Sequence, residues 1–152
     1  MMRISTKSQY GLRAMVYLAS VSGKEDKVYP LKKIARAEDI SFDYLEKIIS
    51  KLEKAGLVKA KRGVRGGYYL GRPPRKISVG EIIKNLEKTM APVRCVAKEK
   101  KERYNCPRKK ICRTFNVWQK IQDTLNSTLN SITLADLINP EGKPSASYRA
   151  RK

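Results

Sequence analysis

The sequence predicts a mainly α-helical fold with one small β-hairpin. Three features carry that expectation: apolar residues recur at steps of three and four along most of the 152 residues, serines at 41 and 78 stand where helices begin, and a glycine-rich turn at 63–67 separates two short strand-like runs. A chain of this length forms one domain, or a small domain with an appendage.

The first helix is expected from about Lys7 to Val21. Tyr10, Ala14, Tyr17, Leu18 and Val21 keep helical spacing, and Leu12, Met15 and Val16 make other sides apolar, which suits a helix in the middle of a bundle. Thr6 and Gln9, three apart, read as the two ends of a capping box. SGKEDKVYP reads as a loop, and a short helix then carries Leu31, Ile34 and Ala35 inward before ending near Glu38. Asp39, Ile40 and Ser41 make a turn, with Ser41 as the next N-cap. The helix that follows places Leu45, Ile48, Ile49 and Leu52 on one face and Asp43, Glu46, Lys47, Lys51 and Lys54 elsewhere, and Gly56 suits its end. Two helices joined by a tight turn are a helix-turn-helix candidate, although any helical hairpin shares that pattern.

Leu57 to Arg62 and Tyr68 to Leu70 read as two strands around the Gly63–Gly67 turn. A hairpin directly behind an amphipathic helix has the order of a winged helix. Arg62 and Arg65 stand at its tip, among glycines that let the backbone approach another molecule closely. After RPPR, Ser78 and Glu81 form a capping-box pattern with Ile77 and Ile82 placed as a staple, predicting a helix to about Lys88. A long helix is predicted from about Arg113 to Ile138, with Phe115, Trp118, Ile121, Leu125, Leu129 and Ile132 as its apolar stripe. Such a stripe needs cover, either from a second copy of the chain or from its own domain, and pairing of two copies is the favoured expectation. The organisation expected is a winged helix-turn-helix at 1–76, a cysteine loop with dimerisation helices at 77–138, and a Pro-, Gly- and Ser-rich basic tail at 139–152, disordered by composition.

Thirty-four Lys plus Arg against fourteen Asp plus Glu give a net charge of +20, which points to nucleic acid or an anionic membrane surface as company. No run approaches the roughly 20 apolar residues of a membrane span, and the start lacks a signal-peptide core; a cytoplasmic protein with no membrane partner is expected. With no histidine, a Ser-His or Cys-His nucleophile is excluded, and no dinucleotide or phosphate-loop fingerprint occurs, so no enzyme is expected. All three cysteines lie between Arg94 and Phe115, among nine lysines and arginines. Three thiols cannot all pair within one chain, and in a reducing compartment they stay as thiols or metal ligands.

RIST with Tyr10 and LRAM, the run ISFDYLEKIISKLEKAGLV, the wing RGVRGGYYLG, the ISVGEII helix start, the three cysteines after it and SITLADL near the end occur in one order over about residues 2–138. In these motifs the chain resembles the Rrf2 family of bacterial winged-helix transcription regulators. The resemblance implies a homodimer that binds a palindromic operator in double-stranded DNA, recognition helix in the major groove and wing in the minor groove. Ser41, Asp43, Glu46 and Lys47 match the base-reading end of that helix, with Tyr44 and Lys51 beside them; Arg62 matches the wing arginine, with Arg65 next to it. The chemistry suits these roles: Glu46 can accept from the cytosine amino group, Lys47 can donate to guanine, and Arg62 suits a narrow, negative minor groove.

In cluster-binding members of the family, three cysteines in this place hold an iron-sulfur cluster, which makes Cys95, Cys106 and Cys112 the implied cofactor and metal ligands. Surrounding cations favour both thiolates and an anionic cluster. Two departures stand out. Ten residues separate Cys95 from Cys106, more than is usual in the family, and the position of a family histidine ligand, three after the last cysteine, is Phe115. Other members take a carboxylate from the partner's first helix, where Gln9 stands here; the fourth ligand is left unassigned. The function expected is that of a dimeric repressor whose operator binding is set by a two- or four-iron cluster sensing redox state, nitric oxide or cluster supply. The alternatives are the same regulator working through thiol oxidation or a zinc ion held by three cysteines and water, and an RNA-binding protein without sequence readout.

Overall fold

The computed structural model describes residues 3–22 and 27–139. The element order is α1 (Thr6–Val21), α2 (Leu31–Glu38), α3 (Phe42–Lys54), β1 (Val58–Lys61), β2 (Gly67–Leu70), α4 (Val79–Leu86), α5 (Phe115–Ser131) and α6 (Leu134–Ile138), with short 3-10 turns at Pro74–Lys76 and Arg94–Val96. This is the mainly helical winged-helix architecture that the sequence predicts. The basic tail lies, from residue 140 on, outside the described residues.

α1 is the central helix. Ala14, Met15 and Leu18 are buried to within 1% of full cover, and they share one core with Ile34, Leu45, Ile48, Ile49 and Leu52 of α2 and α3. Its N-cap is Ser5 rather than Thr6: the Ser5 hydroxyl accepts from Ser8 N–H, and the Gln9 side chain donates to Ile4 C=O instead of reaching back to a cap. Ser5 wins because its N–H and its hydroxyl also donate to the Glu87 carboxylate, at 2.9 and 2.5 Å, a partner far away in sequence.

Between α2 and α3 the turn is closed by Asp39 in the left-handed region (φ 51°), and Ile40 N–H returns to Ala35 C=O. Ser41 caps α3 by accepting from Tyr44 N–H, as its sequence predicts. β1 and β2 pair antiparallel with Val58 opposite Leu70 and Lys61 opposite Gly67. Tyr29 joins them, exchanging both backbone hydrogen bonds with Tyr68 at 2.8 and 2.9 Å. That third strand-like contact requires glycine at 67, where a Cβ would overlap the Tyr29 backbone. Ser78 caps α4 as expected, but the Glu81 side chain turns to Arg72 (2.5 Å), so only half of the predicted capping box forms.

The long C-terminal helix is corrected. It divides into α5 and α6 because Ile132 is extended (φ −99°, ψ 124°) and Thr133 starts a new helix with a full capping box to Asp136. The break is pinned from outside: Val79 N–H donates to Ile132 C=O and Leu134 N–H to Ile77 C=O. α6 then packs on α1 and the Pro74–Lys76 turn, and Leu134, fully buried, joins the same core as Leu18 and Ile48. The expected stripe therefore has two fates. Ile132 and α6 turn back toward the chain's own core, whereas Ile121 is 37% exposed on α5, where Val117, outside that stripe, is 54% exposed. Among the described residues no helix is long and apolar enough to cross a membrane. Leu134→Ala should cost about 2–5 kcal/mol in denaturant unfolding, the range for emptying a closed core site, if α6 is integral to the domain; a loss under about 1 kcal/mol would make α6 peripheral.

Candidate nucleic-acid interface and cysteine loop

α3 buries Leu45, Ile48, Ile49 and Leu52 and leaves Ser41, Asp43, Glu46, Lys47 and Lys51 exposed, so the helical period itself sorts core from outer face. Tyr44 is different. It is half-buried edge-on against Tyr10 (centroids 5.9 Å apart, 79° between planes), which locks the first turn of α3 to α1. Arg13 lies 5.4 Å from the centroid of the same Tyr10 ring and binds the Glu38 carboxylate and carbonyl, tying α1 to the end of α2. The outer face of α3 is thus carried on a braced helix pair.

The hairpin is fastened to the end of that helix by Leu57 N–H donating to Leu52 C=O and Gly71 N–H to Leu57 C=O. At its tip Gly63 takes φ 122° and its carbonyl accepts from Gly66 N–H, a tight turn that leaves Arg62, Val64 and Arg65 exposed. Burial raises the pKa of Tyr68 on β2, and the Glu53 and Glu46 carboxylates of α3 add to it. The structure brings all eight predicted contact residues onto α3 and the wing, with seven of them exposed and Tyr44 spent largely on packing.

The cysteine loop joins α4 to α5. Cys95 lies in the Arg94–Val96 turn, anchored by buried Val96 and Ala97. Tyr104 N–H donates to Arg94 C=O and Cys106 N–H to Tyr104 C=O, which folds the middle of the loop back on its start. Cys112 precedes α5, its Sγ 3.4 Å from Thr114 Oγ1. All three thiols are free and half-buried. The structure does not bring them together: among the described residues no three His, Cys, Asp or Glu side chains converge to hold a metal ion. In kind the donors suit a thiolate-held cluster or zinc; in placement they would have to move to share one. Phe115 offers no ligand, and its ring sits under Lys109 Nζ at 5.0 Å from the centroid. Gln9, the other position considered, is committed to Ile4 C=O.

Cys112 is nonetheless chemically distinct. The hydrogen bond with the Thr114 side chain, followed by the Thr114 and Phe115 backbone N–H groups and the Arg108 charge, holds its pKa below the ordinary thiol value of 9.0. Alkylation of Cys112 should therefore follow a pH profile with its midpoint below 9.0. Thr114→Val should move that midpoint up, and an unchanged profile, followed by peptide mass spectrometry, would remove the hydroxyl from the account.

Sequence reading missed Tyr29 as the wing's third partner and Gln122 as the one buried residue of α5. Gln122, Asn126 and Asn130 at four-residue steps were the available signal for the second.

Comparison with known proteins agrees with this geometry. A family profile described as "Rrf2: Iron-dependent Transcriptional regulator" matches residues 4–140. The HTH-type transcriptional regulator IscR of Yersinia pseudotuberculosis is 37% identical over 138 residues, 91% of this chain and 80% of that protein. Protein rrf2 of Nitratidesulfovibrio vulgaris is 38% identical over 137 residues, 90% of this chain and 87% of that one. Among solved structures, CymR, the global cysteine regulator of B. subtilis, superposes with a TM-score of 0.71 at 38% identity, covering 91% of this chain and 97% of that chain. IscR of T. potens superposes with a TM-score of 0.68 at 36% identity, covering 99% and 93%. IscR and CymR are named as regulators, not enzymes, and with a family match over nearly the whole length the chain belongs to the Rrf2 family of transcriptional regulators.

Proposed function

We propose that the chain is a homodimeric, sequence-specific DNA-binding repressor that works in the cytoplasm on a palindromic operator. The observation that carries this reading is the mounting of an exposed polar helix face and an arginine-tipped wing on one braced core. Ser41, Asp43, Glu46, Lys47 and Lys51 reach base edges and phosphates from the major groove, while Arg62 and Arg65 reach the minor groove. Tyr44 holds the helix at its angle. Exposed Val117 and Ile121 on α5, with Phe115, Trp118 and Leu125 only half-buried, support pairing of two copies through that helix. A two-fold dimer then matches a two-fold operator. The organisation follows: 1–76 reads DNA, and 77–138 carries the cysteine loop and the pairing helix, with α6 returned to the core.

Cys95, Cys106 and Cys112 would hold an iron-sulfur cluster, which when bound supplies iron that reacts with oxygen or nitric oxide. The description of the family profile as iron-dependent supports an iron-bearing cofactor. What the chain itself does is to supply three thiols on a cationic loop fixed at both ends by α4 and α5, so that any ligand gathering them pulls on both helices. Affinity for operator then differs between the gathered and open loop. A second reading, favoured by the lowered pKa of Cys112, keeps the DNA binding and places the signal in thiol oxidation or zinc.

Arg62→Ala should weaken operator binding several-fold and reduce the dependence of log K on log salt by about one phosphate contact. Binding unchanged by this substitution would remove the wing. Protein purified without oxygen should be brown and contain acid-labile sulfide, and Cys106→Ala should be colourless yet dimeric. Colourless, zinc-bearing wild-type protein would select the second reading.

A further inference from the structure

We propose that Phe42, the first residue of α3, recognises thymine in each half of the operator by packing its ring against the 5-methyl group in the major groove. This deepens the DNA-binding reading above and rests on it. Phe42 stands between exposed Ser41 and Asp43 and is itself 38% exposed. It belongs neither to the buried core nor to the half-buried apolar side chains packed on that core. The structural reasons for an apolar residue at a helix start are met here by its neighbours. Ile40 and Leu45 hold the two positions of a hydrophobic staple and are both buried. Tyr44 makes the aromatic tie to Tyr10, and the core face is filled by Leu45, Ile48, Ile49 and Leu52. Among the described residues the Phe42 ring makes no aromatic or cation–π contact. Phenylalanine is also a middling helix former, so the stability of α3 does not call for it.

One exposed ring is ordinary on a protein surface. This one differs by its address. The N-terminal residues of a recognition helix are the ones that reach base edges, and Phe42 shares a flank of α3 with exposed Glu46, one turn further on. Base edges in the major groove are lined with hydrogen-bond donors and acceptors, and the 5-methyl of thymine is their large apolar group. Ser41, Asp43 and Glu46 can pair with the donors and acceptors. A ring with no polar atom gains only from the methyl. Against the cytosine amino group it would strip water without replacing the lost hydrogen bond, so the side chain that favours thymine also disfavours cytosine at that position. Burying one methyl group is worth about fourfold in affinity, and two half-sites multiply that factor.

The test starts from an operator that the full chain selects out of random-sequence duplexes. Each thymine of a half-site is then replaced by deoxyuridine, which removes the 5-methyl and leaves base pairing intact, and affinity is measured by fluorescence anisotropy. At one thymine per half-site the exchange should weaken binding about fourfold. Phe42→Ala should bind the thymine operator more weakly by a similar factor and should no longer distinguish thymine from uracil there. Should that variant misfold, Phe42→Gln, a better helix former, carries the same expectation. Equal binding of thymine and uracil operators by the wild type at every position would overturn the proposal, as would discrimination that survives in the folded variant. A chain that selects no operator at all sinks the DNA-binding reading, whereas one that selects an operator but treats thymine and uracil alike sinks only the role of Phe42.

Discussion

The fold turns on a pair of backbone hydrogen bonds that close its C-terminal part on itself. Val79 N–H reaches Ile132 C=O at 2.8 Å and Leu134 N–H reaches Ile77 C=O at 3.0 Å, bridging Ser78 and Thr133. Each bond satisfies a donor at the first residue of a helix, a group that has no partner within its own helix. The starts of α4 and α6 therefore stabilise one another, and the side-chain caps of Ser78 and Thr133 complete both ends. The consequence is geometric: everything between α4 and α6, the cysteine loop and α5, is a closed excursion from the core, and α5 can project only as far as Ser131 before the chain is called back.

A second tie fixes the far end of α4. Glu87 follows its last residue and accepts from Ser5 N–H, Ser5 Oγ and Ser8 Oγ, joining α4 to the first turn of α1. Burial alone would raise the pKa of this carboxyl, but the bonds from Ser5 and Ser8 and the charge of Lys7 outweigh it and the net direction is down. The negative charge also lies where the α1 macrodipole favours it. With both ends held, and with α4 packed on α1 and α3, the loop's base is mechanically continuous with the helix whose outer face reads DNA in the function proposed.

Much of this was legible locally. Leu31, Ile34 and Ala35, the Ser41 cap, the Leu45–Leu52 face and the glycine-rich turn are all decided by residues within one or two turns, and they appear where spacing puts them. The misreadings share a cause, which is a partner distant in sequence. Thr6 was read as the cap of α1, but Ser5 takes that place with its bonds to Glu87, and Glu81 completed its box on paper but is drawn to Arg72. The apolar run through Ile132 kept helical period, yet the bridge to Ser78 broke it. On α5 the apolar period pointed at Trp118, Leu125 and Leu129, while the residue taken deepest was the amide of Gln122. Of the candidate site, the wing and the outer face of α3 were readable because exposure follows period; the relation among the three thiols was not, because a loop has no period to read.

Electrostatics bears on how those thiols can meet. Ligation needs thiolates, and three thiolates drawn to one point repel one another strongly where water is scarce. The loop's lysines and arginines lower that repulsion but stay on long, solvated side chains; at Cys112 the thiolate is favoured first by the Thr114 hydrogen bond and only last by the Arg108 charge. A multivalent cation at the common point is what makes convergence favourable, and ligand sites of this kind are rarely preformed without one. In the function proposed, three thiols that do not converge, on a loop held at α4 and α5, fit a site assembled by what it binds. In that reading the movement falls on the residues between Val96 and Thr114, since α4 is tied at its start by the Ser78–Thr133 bridge and at its end by Glu87.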